Sequence, residues 1–166
     1  MARVPPSLSI TIVDSVAEFN VALDIRYAVF CDEQGIPREI ELDAEDAFST
    51  HVLVRDGSGR AIATGRVMRQ RTDGTLHALS AKGADSDLAR IGRMAVRPEG
   101  RRAGIGGTVL LALEAEAAKA GLQRAVLHAQ MHAQPFYSQH GYRPQGEVFE
   151  EAGIPHIAMV KAIGGR

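Results

Sequence analysis

Residues 88–130 constrain the fold more than any other stretch of the chain. LARIGRMAV, 88–96, reads as a strand that Pro98 stops. RPEGRRAGIGG, 97–107, is a connection rich in arginine and glycine, and Ile105 to Ala120 is rich in Ala, Leu, Glu and Lys. Ile105, Val109, Leu110, Leu113 and Ala117 share one helical face, and Gly121 fits the position just past a helix end. RAVLHAQ, 124–130, then reads as a buried strand. Strand, helix and strand in that order imply a right-handed parallel crossover within one sheet.

The flanking segments supply antiparallel partners. THVLVRD, 50–56, and RAIATGRVMRQ, 60–70, form a hairpin around DGSG, and YRPQGEVF, 142–149, pairs with PHIAMVKAI, 155–163, through EEAGI. LSITIV, 8–13, suits a first strand, and LHAL, 76–79, reads as a short strand or irregular chain. Ser15 with Glu18 has capping-box spacing before a helix that runs to about Cys31, ended by Gly35 and Pro37. AQPFYSQH, 133–140, is a short helix, whereas the acidic stretch REIELDAEDA, 38–47, reads as a solvated, mobile loop. The expected fold class is α/β (α+β), with residues 1–166 forming a single domain. Its sheet is mixed, mostly antiparallel and twisted, with six to seven strands, one central parallel β-α-β crossover and helices on both faces.

Composition narrows the partners. A net charge of −1 gives no general attraction for nucleic acid or membrane, so any affinity for phosphate is local. The lone Cys31 forms no intramolecular disulfide, and no apolar run resembles a signal peptide or approaches the ~20 residues of a membrane span. The expected location is the cytoplasm. Exposed sheet edges would allow a homodimer.

The connection 97–107 is built to receive an anion. Glycines at 104, 106 and 107 free the backbone, amides converge, and the following helix adds its positive N-terminal end beside Arg97, Arg101 and Arg102. A P-loop is excluded because no Lys-Ser or Lys-Thr pair occurs. A dinucleotide fingerprint fails at Val109 and at its place in the chain. A glycine-rich turn that merely caps a helix is the remaining alternative.

A second segment makes the loop specific. Gln130, Ala133, Tyr137, Gly141 and Tyr142 keep the spacing N-x-x-A-x-x-x-Y-x-x-x-G-F, with Gln in place of Asn and Tyr in place of Phe. Taken with Arg101, Gly104 and Gly106 on R/Q-x-x-G-x-G/A, the chain resembles the GNAT superfamily of acyl-CoA-dependent N-acetyltransferases. RMAVRPEGRRAGIG, 93–106, is similar to that family's strand-to-loop segment. VFCDEQGIP, 29–37, and EEAGIPHI, 150–157, resemble the ElaA-like subgroup.

The resemblance implies acetyl-CoA as co-substrate and no metal. It implies a pantetheine arm between strands 88–96 and 124–130, along Met94, Ala95 and Val96, and a diphosphate on Arg101, Arg102, Ala103, Gly104, Ile105, Gly106, Gly107 and Thr108. Gln130, Phe136 and Tyr137 complete the expected cofactor contacts. The acceptor would be a small-molecule or peptide amine attacking directly in a ternary complex. Tyr137 matches the family's usual acid, and an amide near Val96 would steady the oxyanion. Glu33 and His156 lead as the base, with Glu150, Glu151 and a water relay left open. Cys31 reads as a buried inert thiol, and the spacing of His128, His132 and His140 does not group like a zinc set. The acidic run 39–46 reads as a solvated face, and its functional reading is attraction of a cationic amine. The alternative to an enzyme is a non-catalytic acyl-CoA-binding sensor or protein-interaction module.

Overall fold

Continuous burial along the central strand 61–70 and alternating burial along 88–96 show a sheet covered on both faces at its centre. In the computed structural model, which describes residues 7–164, the elements run β1 Ser9–Ile12, α1 Val16–Arg26, α2 Arg38–Glu41, β2 Thr50–Arg55, β3 Ala61–Gln70, β4 Leu76–His77, β5 Leu88–Val96, α3 Ile105–Lys119, β6 Arg124–Gln130, α4 Gln134–Gln139, β7 Arg143–Glu151 and β8 Ile154–Ala162. The strand order is β1-β2-β3-β5-β6-β8-β7, with β4 paired to the end of β3. Only β5 and β6 run parallel, joined by the α3 crossover, and all other pairs are antiparallel. The eighth strand, beyond the six or seven expected, is the two-residue β4. The expectation for residues 1–6 lies outside the described residues. No helix among the described residues is long and apolar enough to cross a membrane.

One face packs against α3. Val109, Leu110, Leu113 and Ala117 bury against Val67, Ile91, Ala125 and Leu127, each large side chain contributing about 1.5–3 kcal/mol. Gly65 on β3 sets the helix-to-sheet distance, since a Cβ there would lie 2.8 Å from both Leu113 and Val109. The other face packs against α1 through Ala22, Ile25, Val29, Leu53 and Ala95.

Two local readings change. Ser15 Oγ does accept the Glu18 amide at 3.1 Å, but the Glu18 carboxylate turns to Arg55 at 2.8 Å instead of closing a capping box. The first helix also does not stay α to its end. Tyr27–Glu33 form a π-helical turn, and Gly35, at φ 75°, ends it. Cys31 is consequently half-buried, not enclosed, and burial pushes its thiol above the ordinary value.

The larger correction concerns residues 38–47. The stretch folds into α2 and a 3₁₀ turn, Ala44–Ala47, and three of its acids, Glu41, Asp43 and Asp46, turn inward, whereas Glu39 stays exposed. Arg26, 1% exposed, donates to Glu41 Oε1 at 2.9 Å, to the Glu41 carbonyl at 2.7 Å and to Asp46 Oδ1 at 2.7 Å. Arg66 binds Asp43 at 2.6 Å and Asp46 at 2.8 Å, and Arg93 reaches Asp43 at 3.1 Å. Three arginines from α1, β3 and β5 therefore neutralise three acids of one short segment, and a run that reads as solvated becomes a wall.

Burial alone would raise the Asp46 carboxyl, but Arg26, the Asp43 amide and Arg66 outweigh it and hold the group at about 2. A depressed acid contributes stability that is complete above its unfolded value and drains as pH falls through the folded one. Asp46→Ala should therefore cost about 3–5 kcal/mol at pH 7, as for any buried pair deprived of one partner. In urea unfolding, the difference between the parent and Asp46→Asn should shrink between about pH 4 and about pH 2. A pH-independent difference would show that Asp46 is not held ionised by the arginines.

Candidate active site

The parallel pair is short. β5 and β6 are in register only from Ala89↔Ala125 to Ile91↔Leu127. Beyond Ile91, β5 bulges: Arg93 sits at φ 51°, and the β3–β5 register shifts between Thr64 and Arg66. The two strands then diverge. The Arg97 amide donates to the Ile62 carbonyl at 2.8 Å, so strand alternation aims the Val96 amide away from β3 into the gap. The Val96 carbonyl on that side already accepts Arg101 Nε at 3.0 Å. Ala95 belongs to the opposite set; its polar groups face β3 and its side chain is buried against α1, so only its surface borders the gap.

The gap opens into a cleft of about 1130 Å³ walled by Met94, Val96, Arg101, Arg102, Gly104 to Gly107, Gln130, Phe136, Tyr137 and His156, among others. At one end lies the glycine loop. Arg102, at φ 67°, and Gly104, at φ 76°, turn the chain so that Gly104 caps α3 without a side-chain hydrogen bond. The first amide used by the helix is Thr108, bonded to the Gly104 carbonyl at 3.2 Å, and Thr108 Oγ1 turns to the same carbonyl at 3.3 Å. Thr108 thus has its donors spent inside the loop, and neither it nor Ala103 borders the cleft. The amides of Ile105, Gly106 and Gly107 precede the helical ladder, the kind of helix start that can receive an anion.

The glycines answer to different needs. A Cβ at Gly104 would meet open space, so that position needs glycine for its backbone angle. At Gly107 a Cβ would lie 2.8 Å from the His140 ring, and at Gly106 3.2 Å from Phe136. These two let α4 seat against the start of α3.

Tyr137 projects from α4 into the same cleft, its hydroxyl meeting only Met94 Sδ at 3.7 Å. Burial pushes its phenol up to about 12. Gln130 forms a reciprocal amide pair with Gln34, at 2.8 and 3.3 Å, which carries the end of the π-helical turn across to β6. Glu33, next to it, grips Arg101 with two hydrogen bonds of 2.6 and 2.9 Å. That contact holds the Glu33 carboxyl below its usual value and gives it the role of an ion-pair partner at the mouth, not a free proton acceptor. Tyr142 leaves the cleft: its hydroxyl donates to Glu114 at 2.8 Å, which accounts for a phenol where Phe would serve for packing alone.

At the far end lies a polar group in which the base candidates His156 and Glu151 meet His128 and Arg90, the last of which the sequence reading misses. Ala152 and Gly153, at φ 52° and 76°, make a two-residue turn, so Glu150 and Glu151 belong to β7 and not to a longer loop. Glu151 Oε1 lies 3.0 Å from His128 Nδ1, and its Oε2 lies 3.7 Å from His156 Nε2. His156 Nδ1 lies 2.6 Å from the Ile154 carbonyl. A carbonyl only accepts, so Nδ1 carries a proton, and Nε2 is the ring nitrogen that faces Glu151. Arg90 completes the group, its Nη2 2.9 Å from His128 Nδ1.

Sequence comparison agrees with this geometry. The sequence family described as "Acetyltransferase (GNAT) domain" matches residues 43–163. The chain is 37% identical over 141 residues to the Bacillus subtilis protein named "Uncharacterized N-acetyltransferase YjcF", covering 84% of this chain and 89% of that one. Among solved structures, it is similar to an acyl-CoA N-acyltransferase from Pseudomonas aeruginosa, with TM-score 0.75, 27% identity and coverage of 94% and 100%. It is also similar to Escherichia coli ElaA, with TM-score 0.74, 27% identity and coverage of 93% and 99%.

Any anion that docks on Arg101 would compete with Glu33 for its guanidinium. Glu33→Gln should therefore tighten pyrophosphate binding by roughly 2- to 5-fold in calorimetric titration, the scale of a screened surface pair. Weaker binding by the variant would mean that the paired guanidinium is the form that receives the anion.

Proposed function

The chain belongs to the GNAT acetyltransferase family, and we propose that it transfers an acetyl group from acetyl-CoA to a primary amine by direct attack in a ternary complex. One observation carries the reading: the gap between β5 and β6 joins an anion-facing helix start to a half-buried phenol, engaged only by a thioether, in a single cleft. The fit to a pantetheine diphosphate rests on the outward Val96 amide and on the free amides of residues 105–107. Arg102, which has no ion-pair partner among the described residues, and Arg101 would add charge-assisted contacts.

Bound acetyl-CoA would supply an activated thioester, whose C–S bond breaks as the amine's C–N bond forms. The residues handle the protons. In its neutral form His156, which lines the cleft, takes on Nε2 the proton that the attacking nitrogen must lose, and Glu151 steadies the resulting imidazolium. Tyr137 donates its phenolic proton to the departing sulfur and recovers it from solvent. The Val96 amide faces the side on which oxyanion charge would develop. Ile36 and Ile40 cover the cleft with apolar surface and limit water. This assigns Tyr137 as acid and His156 as base. It leaves Glu33 outside the proton path.

Calorimetric titration should give micromolar binding of acetyl-CoA with none of ATP or NADH. Tyr137→Phe should preserve that binding and lower turnover about 100-fold or more, and His156→Gln should do likewise. Because the Tyr137 phenol is pushed up to about 12, it stays protonated well above neutrality, so turnover should show no alkaline decline from this group below about pH 10. Full turnover in Tyr137→Phe would remove the acid. Binding of acetyl-CoA with no thiol release from any amine would favour the acyl-CoA sensor.

A further inference from the structure

The buried arginines of this protein differ in what they touch. Arg26, Arg66 and Arg69 each meet a carboxylate at 3.0 Å or less, and half-buried Arg93 meets two at 3.1 and 3.2 Å. Arg90 does not. It stands on β5 between Ala89 and Ile91, whose side chains enter the α3 core, so alternation sends Arg90 to the opposite face and into the cleft. There its guanidinium meets Gln70 Oε1 at 3.3 Å and His128 Nδ1 at 2.9 Å, and no carboxylate lies within ion-pair distance among the described residues. A guanidinium so placed, half-buried and lacking a counter-charge, costs desolvation that an anion would offset.

The second contact holds a conflict. His128 Nδ1 faces both Arg90 Nη2 at 2.9 Å and Glu151 Oε1 at 3.0 Å. As an acceptor it serves the guanidinium; as a donor it serves the carboxylate; one protonation state does not serve both. An anion that takes Arg90 Nη2 removes the conflict and leaves the Nδ1 proton to Glu151. The neighbouring charges are the Arg66 and Arg93 guanidinia, already neutralised by Asp43, Glu41 and Asp46, together with Glu151 and the more distant Glu45.

We propose that Arg90 receives a carboxylate of the acceptor, so that the amine substrate is an amino acid or a similarly small amino-carboxylate. The inference rests on the acetyl-transfer reading above and narrows its substrate class. The anion belongs to the acceptor, not to the thioester donor: Arg90 precedes the divergence of β5 from β6, whereas the glycine loop follows it. Glu151, across the same end of the cleft, is the complementary partner for the ammonium group before its proton is lost. Arg90 is in this sense a specificity-determining residue, and docking of the carboxylate also settles His128 on Glu151, beside His156.

The test compares matched acceptors with acetyl-CoA in a thiol-release assay: free amino acids, their carboxamides, and the corresponding amines without the carboxyl group. β-Alanine and γ-aminobutyrate vary the spacing. Expected is a preference in kcat/KM of roughly 10- to 100-fold for the carboxylate over its carboxamide, the scale of one partly desolvated charge-assisted pairing. Arg90→Gln should bring that ratio to about one, and Arg90→Lys should retain part of it, because the charge survives without the fork. The far-ultraviolet spectrum and Tm of each variant establish that it folds. Equal use of carboxylates, carboxamides and amines overturns the assignment of Arg90 while leaving acetyl transfer intact. A preference that survives Arg90→Gln overturns it too. Thiol release from no acceptor, with acetyl-CoA bound, overturns the transfer reading itself and this inference with it.

Discussion

Everything in the cleft depends on the failure of β5 and β6 to stay paired. Three residues on each strand are in register, and then the bulge at Arg93 swings β5 aside. A parallel pair that continued would satisfy the Val96 amide within the sheet and leave no room for a ligand. The left-handed backbone at Arg93 costs of order 1 kcal/mol or more for a non-glycine residue. Its side chain is held at 3.1 Å to Asp43 and 3.2 Å to Glu41, so the strained turn is tied to the wall opposite. The same contact that fixes the bulge also fixes the segment that roofs the cleft.

That roof is an ionic structure more than an apolar one. Buried ion pairs do not by themselves stabilise a fold relative to well-packed hydrophobic side chains, because desolvation consumes most of the Coulombic gain. What they do supply is direction. Arg26, Arg66 and Arg93 come from a helix and two strands, and the fork of each guanidinium accepts carboxylates only in certain orientations. An apolar segment at 38–47 would slide over the sheet; this one is registered to it. Glu33–Arg101 and Gln34–Gln130 extend the same registration to the mouth, where the π-helical turn reaches both banks of the gap.

The parts legible in the sequence are those whose signal is local. The crossover and the β2–β3 hairpin depend on periodicity, and the two short motifs, Arg101, Gly104 and Gly106 in one and Tyr137 and Gly141 in the other, each depend on residues within one or two turns of each other. The acidic stretch escapes such reading because its partners are distant: Asp46 meets Arg26 and Arg66, 20 positions away on either side. Net local charge suggests solvent when the counter-charges lie on other elements. Glu151 was misplaced for another reason. A left-handed Ala152 is uncommon, so the sequence favours a longer loop than the two-residue turn that forms. Arg90, by contrast, was readable in principle: it alternates with Ala89 and Ile91, and a charged residue amid that alternation marks the face not covered by α3.

The two ends of the cleft differ in how they hold charge, and the difference follows from backbone against side chain. At the glycine loop the positive potential comes largely from amides that the helix geometry itself leaves unpaired, so it is rigid and cannot titrate. At the far end it comes from side chains that compete: one imidazole nitrogen lies between a guanidinium and a carboxylate, and the next imidazole faces the carboxylate's other oxygen. Such a group can rearrange when a ligand supplies a new partner, whereas the loop cannot. A fixed end suits a donor whose phosphates are always the same. An adjustable end would suit the proposed step in which protons move, because its side chains can exchange partners without disturbing the sheet.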